Sequence, residues 1–263
     1  MCNKNFIFLA GHHRSGTSLL HEILKEHPEI SGFSNTGVPE DEGQHLQTVY
    51  KPATEFGGPG KYIFNPASQM TEEHPLATSK SAELLLAQWG KYYDNSKSHF
   101  IEKSPPNLIR TRFFQKIFPN SKFIVILRHP IAVSYATKKW SKTSVKSLIE
   151  HTVLGYEVFM EDKKKLNNVY VLRYEDFVKN PQVEIDAVFD FLGLKSISVN
   201  HDVKKNVNDK YFDMWMEERR KLRNKIALHV SGKVERRAIR YGYSLLEKDK
   251  VLPLPAEFSN FAR

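Results

Sequence analysis

A single cysteine, Cys2, in 263 residues leaves nothing from which to build a disulfide framework or a cysteine-rich zinc site, and it fits a reducing compartment such as the cytoplasm. No apolar run approaches the roughly 18 residues that span a membrane. Phe6–Ala10 is too short for a secretory leader and runs directly into Gly11-His12-His13-Arg14, so it reads as a buried first strand. Internal repeats, low-complexity tracts and an interdomain linker are all missing, so residues 1–263 are expected to form a single domain. Acidic residues fall short of basic ones, 30 against 39, giving a formal charge of +9. That excess suits an anionic partner (nucleic acid, a phosphorylated ligand or an acidic surface) without choosing among them. Wholesale disorder is excluded by a 40% hydrophobic content.

What is present alternates. Short apolar runs predict strands at Phe6–Ala10, Phe100–Glu102, Lys122–Leu127 and Val169–Leu172. Between them, helical periodicity predicts helices at Thr17–Glu26, Ser79–Tyr92, Asn107–Phe118, Ile131–Lys139, Lys146–Lys165 and Gln182–Leu192. Phe123-Ile124-Val125-Ile126-Leu127 is apolar at every position, as a strand buried on both faces requires. The expectation is a three-layer α/β/α fold with a central, mostly parallel sheet. Two regions break the alternation. Thr36–Thr78 holds five prolines and five glycines, and an irregular stretch of that length usually builds a ligand site or is disordered. Lys210–Arg240 carries ten basic residues against four acidic ones. With Leu222, Ile226, Ala227 and Leu228 interleaved, it reads first as a solvated helical face, and otherwise as a polyanion patch.

The strongest local signal is the first strand followed by Gly11-His-His-Arg14-Ser15-Gly16-Thr17-Ser18 and a helix. Amides of such a loop and helix start form a concave anion site, and Arg14 adds a fork suited to phosphate. The spacing is that of a P-loop, but the lysine that reaches the outer phosphates of a triphosphate is missing after Gly16. This counts against a nucleotide kinase or triphosphate hydrolase.

Arg14-Ser15-Gly16-Thr17-Ser18 after a strand resembles the first signature of the sulfotransferases that use 3′-phosphoadenosine 5′-phosphosulfate (PAPS), with Ser18 in place of a threonine. Leu19-Leu20 and His27-Pro28-Glu29-Ile30 are similar to the bacterial and tyrosyl-protein branches. Arg128-His129-Pro130 followed by Ala132-Val133-Ser134 resembles the second signature, where an arginine at a strand end and a serine on the next helix hold the 3′-phosphate. Ser134 takes the serine's place if two residues are deleted, Ala136 stands at the ungapped position, and Lys138 falls where a further basic contact often sits. Arg173-Tyr174-Glu175-Asp176 resembles the strand end whose tyrosine contacts the adenine side. These segments come in the family's order across about three-quarters of the chain.

The resemblance implies a P-loop NTPase-like fold, PAPS as cosubstrate with adenosine 3′,5′-bisphosphate as product, and no metal, because a sulfuryl group carries less charge than a phosphoryl group. In-line transfer still needs a base for the acceptor proton and a cation at the leaving oxygen. Asp41-Glu42-Gly43-Gln44 matches the Glu-Glu-x-Gln pattern of glycosaminoglycan-type members, which makes Glu42 the candidate base and His45, by analogy with cytosolic members, the runner-up. Lys103, at the end of the strand Phe100–Glu102, is the candidate at the leaving oxygen. Ser231-Gly232-Lys233 resembles a loop that closes over the nucleotide, so Lys233 joins the nucleotide contacts. The competing readings are a nucleotide kinase and a non-catalytic polyanion or nucleic-acid binder. The acceptor (sugar, phenol, lipid or peptide) and the oligomeric state are not legible.

Overall fold

Five strands, β1 (Asn5–Gly11), β2 (Ile30–Gly32), β3 (His99–Lys103), β4 (Lys122–Leu127) and β5 (Val169–Arg173), form one sheet in the order β2-β3-β1-β4-β5. Every pairing is parallel. The structure, a computed structural model, describes residues 4–221, 228–247 and 251–254. Cys2, Leu222, Ile226 and Ala227 lie outside the described residues.

Parallel strands must be joined by crossovers, and the crossover helices cover both faces. The alternation of side chains along β1 and β4 decides which helix goes where. Ile7, Leu9, Ile124 and Ile126 point to one face, where they pack with α1 (Thr17–Lys25), α6 (Tyr174–Lys179) and α7 (Pro181–Leu192). Phe6, Phe8 and Phe123 point to the other and meet α2 (Ser79–Trp89) and α3 (Thr111–Ile117). Further along that second face, Ala10, Val125 and Leu127 meet α4 (Pro130–Lys138), α5 (Val145–Lys163), α8 (Asp209–Arg220) and α9 (Gly232–Ile239). The three layers and the buried central strand are those the apolar pattern predicts.

Two segments differ from the expectation in instructive ways. Asn107–Phe118 is not one helix: a 3₁₀ stretch over Pro105–Ile109 gives way to α3 at Arg110, which has φ −132°. The irregular stretch 36–78 is ordered, as five short 3₁₀ turns packed against the second face. Its anchor is Arg110, fully buried, whose guanidinium donates to the carbonyls of Ser68 (3.2 Å) and Lys51 (3.1 Å).

The carboxyl ends of β1, β3, β4 and β5 release Gly11, Lys103, Arg128 and Tyr174 at one edge of the sheet. β1 has β3 on one side and β4 on the other, so successive crossovers diverge there and open a crevice.

Candidate active site

The crevice is a cleft of about 290 Å³. Its floor is the loop from β1 to α1. Gly11 is required by crowding, since a Cβ there would lie 2.5 Å from Ser15 Oγ and 2.7 Å from the Ile126 carbonyl oxygen. Gly16 is left-handed (φ 103°), and a Cβ on it would meet the Tyr174 ring at 2.7 Å. α1 starts on Gly16 with no capping side chain and no acidic residue in its first turn. Its leading amides and positive dipole end therefore face the cleft with no acidic residue of the helix itself to offset them. Ser15 Oγ is buried without a hydrogen-bond partner among the described residues, the condition of a hydroxyl kept for a ligand. Thr17 and Ser18 line the cleft above it.

Arg14 and Arg128 supply the positive charge. Arg14 is exposed, left-handed (φ 67°), and lies with its guanidinium 4.6 Å over the Trp140 ring. Arg128 is buried, stacked 4.0 Å over Tyr174, and donates to the Arg14 carbonyl (2.7 Å). Its other donors go to Asn208 Oδ1 at 2.9 and 2.7 Å. Asn208 is held in turn by donating to Glu175 (2.8 Å), which also accepts from the His129 amide and the Tyr243 hydroxyl. An amide, not a carboxylate, takes the Arg128 fork, so its charge is oriented but not cancelled in contact.

The wall opposite comes from the acidic loop and the end of β3. Glu42 lines the cleft with little exposure; its carboxylate accepts from Gln44 (2.5 Å) and sits 3.6 Å from Lys103 Nζ. Burial pushes its pKa up to about 7, against the opposing pull of Lys103 and Gln44. Lys103 is 1% exposed and also donates to the Glu40 carbonyl at 2.6 Å. Behind it, buried Glu102 accepts from Ser104 and Asn107, and Ser104 Oγ accepts from the Gln44 amide, which ties the loop to the sheet. His45 is half-buried and is not among the cleft's lining residues; burial and then Lys103 lower its pKa.

Arg14, Gly16, Thr17, Ser18, Arg128, Tyr174 and Glu42 thus meet around one cleft, with Ser15 beneath and Lys103 behind. Three expected contacts lie elsewhere. Ser134 is fully buried and lines a separate small cavity with His12, His13 and His151. Lys233 is exposed in the first turn of α9 and does not line the cleft. Lys138 pairs with Glu218 at 3.5 Å. Residues not anticipated as a wall are Trp140 and, around the start of α8, Val207, Lys210 and Tyr211, with Asn208 behind them holding Arg128. The Phe212–Trp215 spacing, which buries one face of α8, was the available signal that Lys210–Arg240 is more than a solvated face. Among the described residues, no three His, Cys, Asp or Glu side chains are grouped to hold a metal ion, and no helix is long and apolar enough to cross a membrane.

The model of the Sulfotransferase family matches residues 6–198. Among curated proteins, the omega-hydroxy-beta-dihydromenaquinone-9 sulfotransferase Stf3 of Mycobacterium tuberculosis (strain CDC 1551 / Oshkosh) is 24% identical over 242 residues, covering 72% of this chain and 62% of that protein. Protein-tyrosine sulfotransferase 2 of Gallus gallus is 22% identical over 210 residues, 72% of this chain and 51% of that protein. The chain spans about half to three-fifths of the length of these relatives. The sulfotransferase domain of the Synechococcus PCC 7002 olefin synthase shares the fold, with TM-score 0.55, 18% identity, and coverage of 93% of this chain and 97% of that one. So does the sulfotransferase domain of the curacin biosynthetic pathway, with TM-score 0.53, 16% identity, and 92% and 99% coverage.

Proposed function

The chain belongs to the sulfotransferase family, and from that premise we propose that it moves the sulfuryl group of PAPS to a hydroxyl or amine acceptor by in-line displacement. The observation that carries this reading is one cleft lined by an uncapped helix start, two arginines and a buried carboxylate, with a buried lysine paired to that carboxylate behind it.

The residues fit PAPS. Ser15 Oγ and the leading amides of α1 suit the phosphosulfate, Arg14 and Arg128 are cations that no carboxylate of the described residues pairs in contact, and Tyr174 and Tyr211 are aromatic surfaces for the nucleoside. The cosubstrate supplies the activated sulfuryl group. Glu42, with a pKa near 7, would take the acceptor's proton as the new S–O bond forms. Lys103 would face the oxygen on which charge grows as the old bond breaks, giving up its hold on the Glu40 carbonyl to do so. No metal is needed in this reading. His45, off the cleft, is the second candidate for the base. The cytoplasm is the compartment we propose, in keeping with a lone cysteine.

The alternatives are weaker. A kinase would need the lysine that Thr17 replaces. A polyanion binder would need free charge on the basic C-terminal stretch, yet Arg237 is spent on Glu150 and Glu157, and Arg219 lies over Trp215.

Calorimetry with adenosine 3′,5′-bisphosphate, ATP and duplex DNA separates the three readings. The bisphosphate is expected to bind in clear preference to the others; preference for ATP, or salt-sensitive DNA binding, would overturn the proposal. Arg14→Ala and Arg128→Ala should each weaken bisphosphate binding by about 1.5–3 kcal/mol, the range for hydrogen bonds to charged groups. Unchanged affinity in both, with an unchanged melting temperature, would remove the basis of the nucleotide assignment.

A further inference from the structure

The proposed reaction uses Glu42 and leaves Glu40 idle, yet Glu40 is held with unusual firmness for an exposed loop residue. Glu40 and Asp41 are consecutive left-handed residues, with φ 53° and 48°, a conformation that costs a non-glycine residue free energy. Lys103 Nζ fixes the carbonyl of the first. The carboxylate of the second accepts from the Asn35 amide (3.2 Å), the Thr36 amide (2.8 Å) and the Thr36 hydroxyl (2.5 Å). The outcome is that the Glu40 carboxylate lines the cleft and accepts from Ser18 Oγ at 3.1 Å. Ser18 is the second residue of α1, so this carboxylate stands at the mouth of the anion cradle. It stands on the reacting side, two residues from Glu42 and bonded through its backbone to Lys103.

A negative group at the mouth of a cradle for anions is at odds with simple affinity, since it repels whatever the helix start attracts. It is useful for discrimination. A terminal sulfuryl group carries one negative charge, whereas a terminal phosphoryl group carries close to two at neutral pH. We propose that Glu40 is a specificity-determining residue, a fixed charge that tolerates a singly charged terminal sulfuryl group and disfavours a doubly charged phosphoryl group of the same shape. This rests on the PAPS reading of the cleft. Arg14 and the amides of α1 pull harder on the more highly charged group, so the carboxylate is the element that opposes this preference. Its fixed geometry matters because a mobile carboxylate would swing into solvent and lose its selectivity.

The test compares two nucleotides by calorimetry at one pH and ionic strength. PAPS, with its singly charged terminal sulfuryl group, is the reference, and 3′-phosphoadenosine 5′-diphosphate carries a phosphoryl group in its place. Glu40→Gln should tighten binding of the diphosphate relative to PAPS by about five- to twentyfold, the scale of one partly screened unit charge. Glu40→Asp, which keeps the charge but not the reach to Ser18, should give a ratio between those of the wild type and Glu40→Gln. A ratio in Glu40→Gln within about twofold of wild type, or equal tightening of both nucleotides, would overturn the inference while leaving the PAPS reading intact. If the wild-type protein binds neither nucleotide, the PAPS reading itself fails and the inference falls with it, a result distinct from the first two.

Discussion

Glu42→Gln should lower kcat by about 10²–10⁴-fold, the contribution of a positioned general base, and leave affinity for adenosine 3′,5′-bisphosphate nearly untouched. Glutamine keeps the size of the side chain and an acceptor for Gln44, so the loss reports basicity rather than packing. The wild-type rate should also depend on pH with a definite sign. A base works only when ionised, and burial holds Glu42 near 7, so kcat should rise with pH and level off above about 7. In Glu42→Gln that limb should vanish. His45→Gln, made alongside, should cost little, because His45 is off the cleft. A dead His45 variant beside a nearly normal Glu42 variant would exchange the two roles. If both stayed active, the base would have to be sought outside this loop.

Lys103→Met should cost about 10²–10³-fold in kcat, the usual loss on removing one preorganised donor from a developing negative charge. Methionine matches the length of the buried stem without its charge. The substitution also strips Glu42 of the cation that opposes its desolvation, so the rising limb of the pH profile should move to higher pH. That displacement reports the pairing with Glu42, whereas the loss that persists on the plateau above it reports the role at the leaving oxygen. A kcat within about threefold of wild type, with the limb in place, would remove Lys103 from the reaction.

The sheet was legible where burial on both faces leaves no room for polar residues. β4 coincides with its expected bounds, and β1, β3 and β5 differ at their ends by a residue or two. β2 was missed because a three-residue edge strand, Ile30-Ser31-Gly32, has too little pattern to read. α6 was hidden by Arg173-Tyr174-Glu175-Asp176, which continues β5 in sequence yet turns into a helix at Tyr174. The cradle and the acidic loop were legible because their chemistry is local: neighbours in sequence stay neighbours in space. Ser134 shows the opposite case. Two positions along a helix are about 200° around its axis, so placing the hydroxyl by allowing a two-residue deletion chose a face as well as a position. That face looks into the buried cavity with His12 and His151. Asn208 and Lys210 could not be found from spacing, because they reach Arg128 and the cleft across about 80 residues of intervening chain.

Trp140 gives the cleft an optical consequence. The chain has three tryptophans, and two of them, Trp89 at 0% and Trp215 at 1% exposure, are sealed in the interior. Trp140 is 53% exposed on the cleft wall under the Arg14 guanidinium. Its indole is therefore the one that an aqueous quencher can reach, and its emission should lie to the red of the other two. A ligand that draws Arg14 off the ring, or covers it, changes the dipole and the water around this fluorophore alone. The protein thus carries its own label at the entrance to the cleft, in the position where an engineer would have put one.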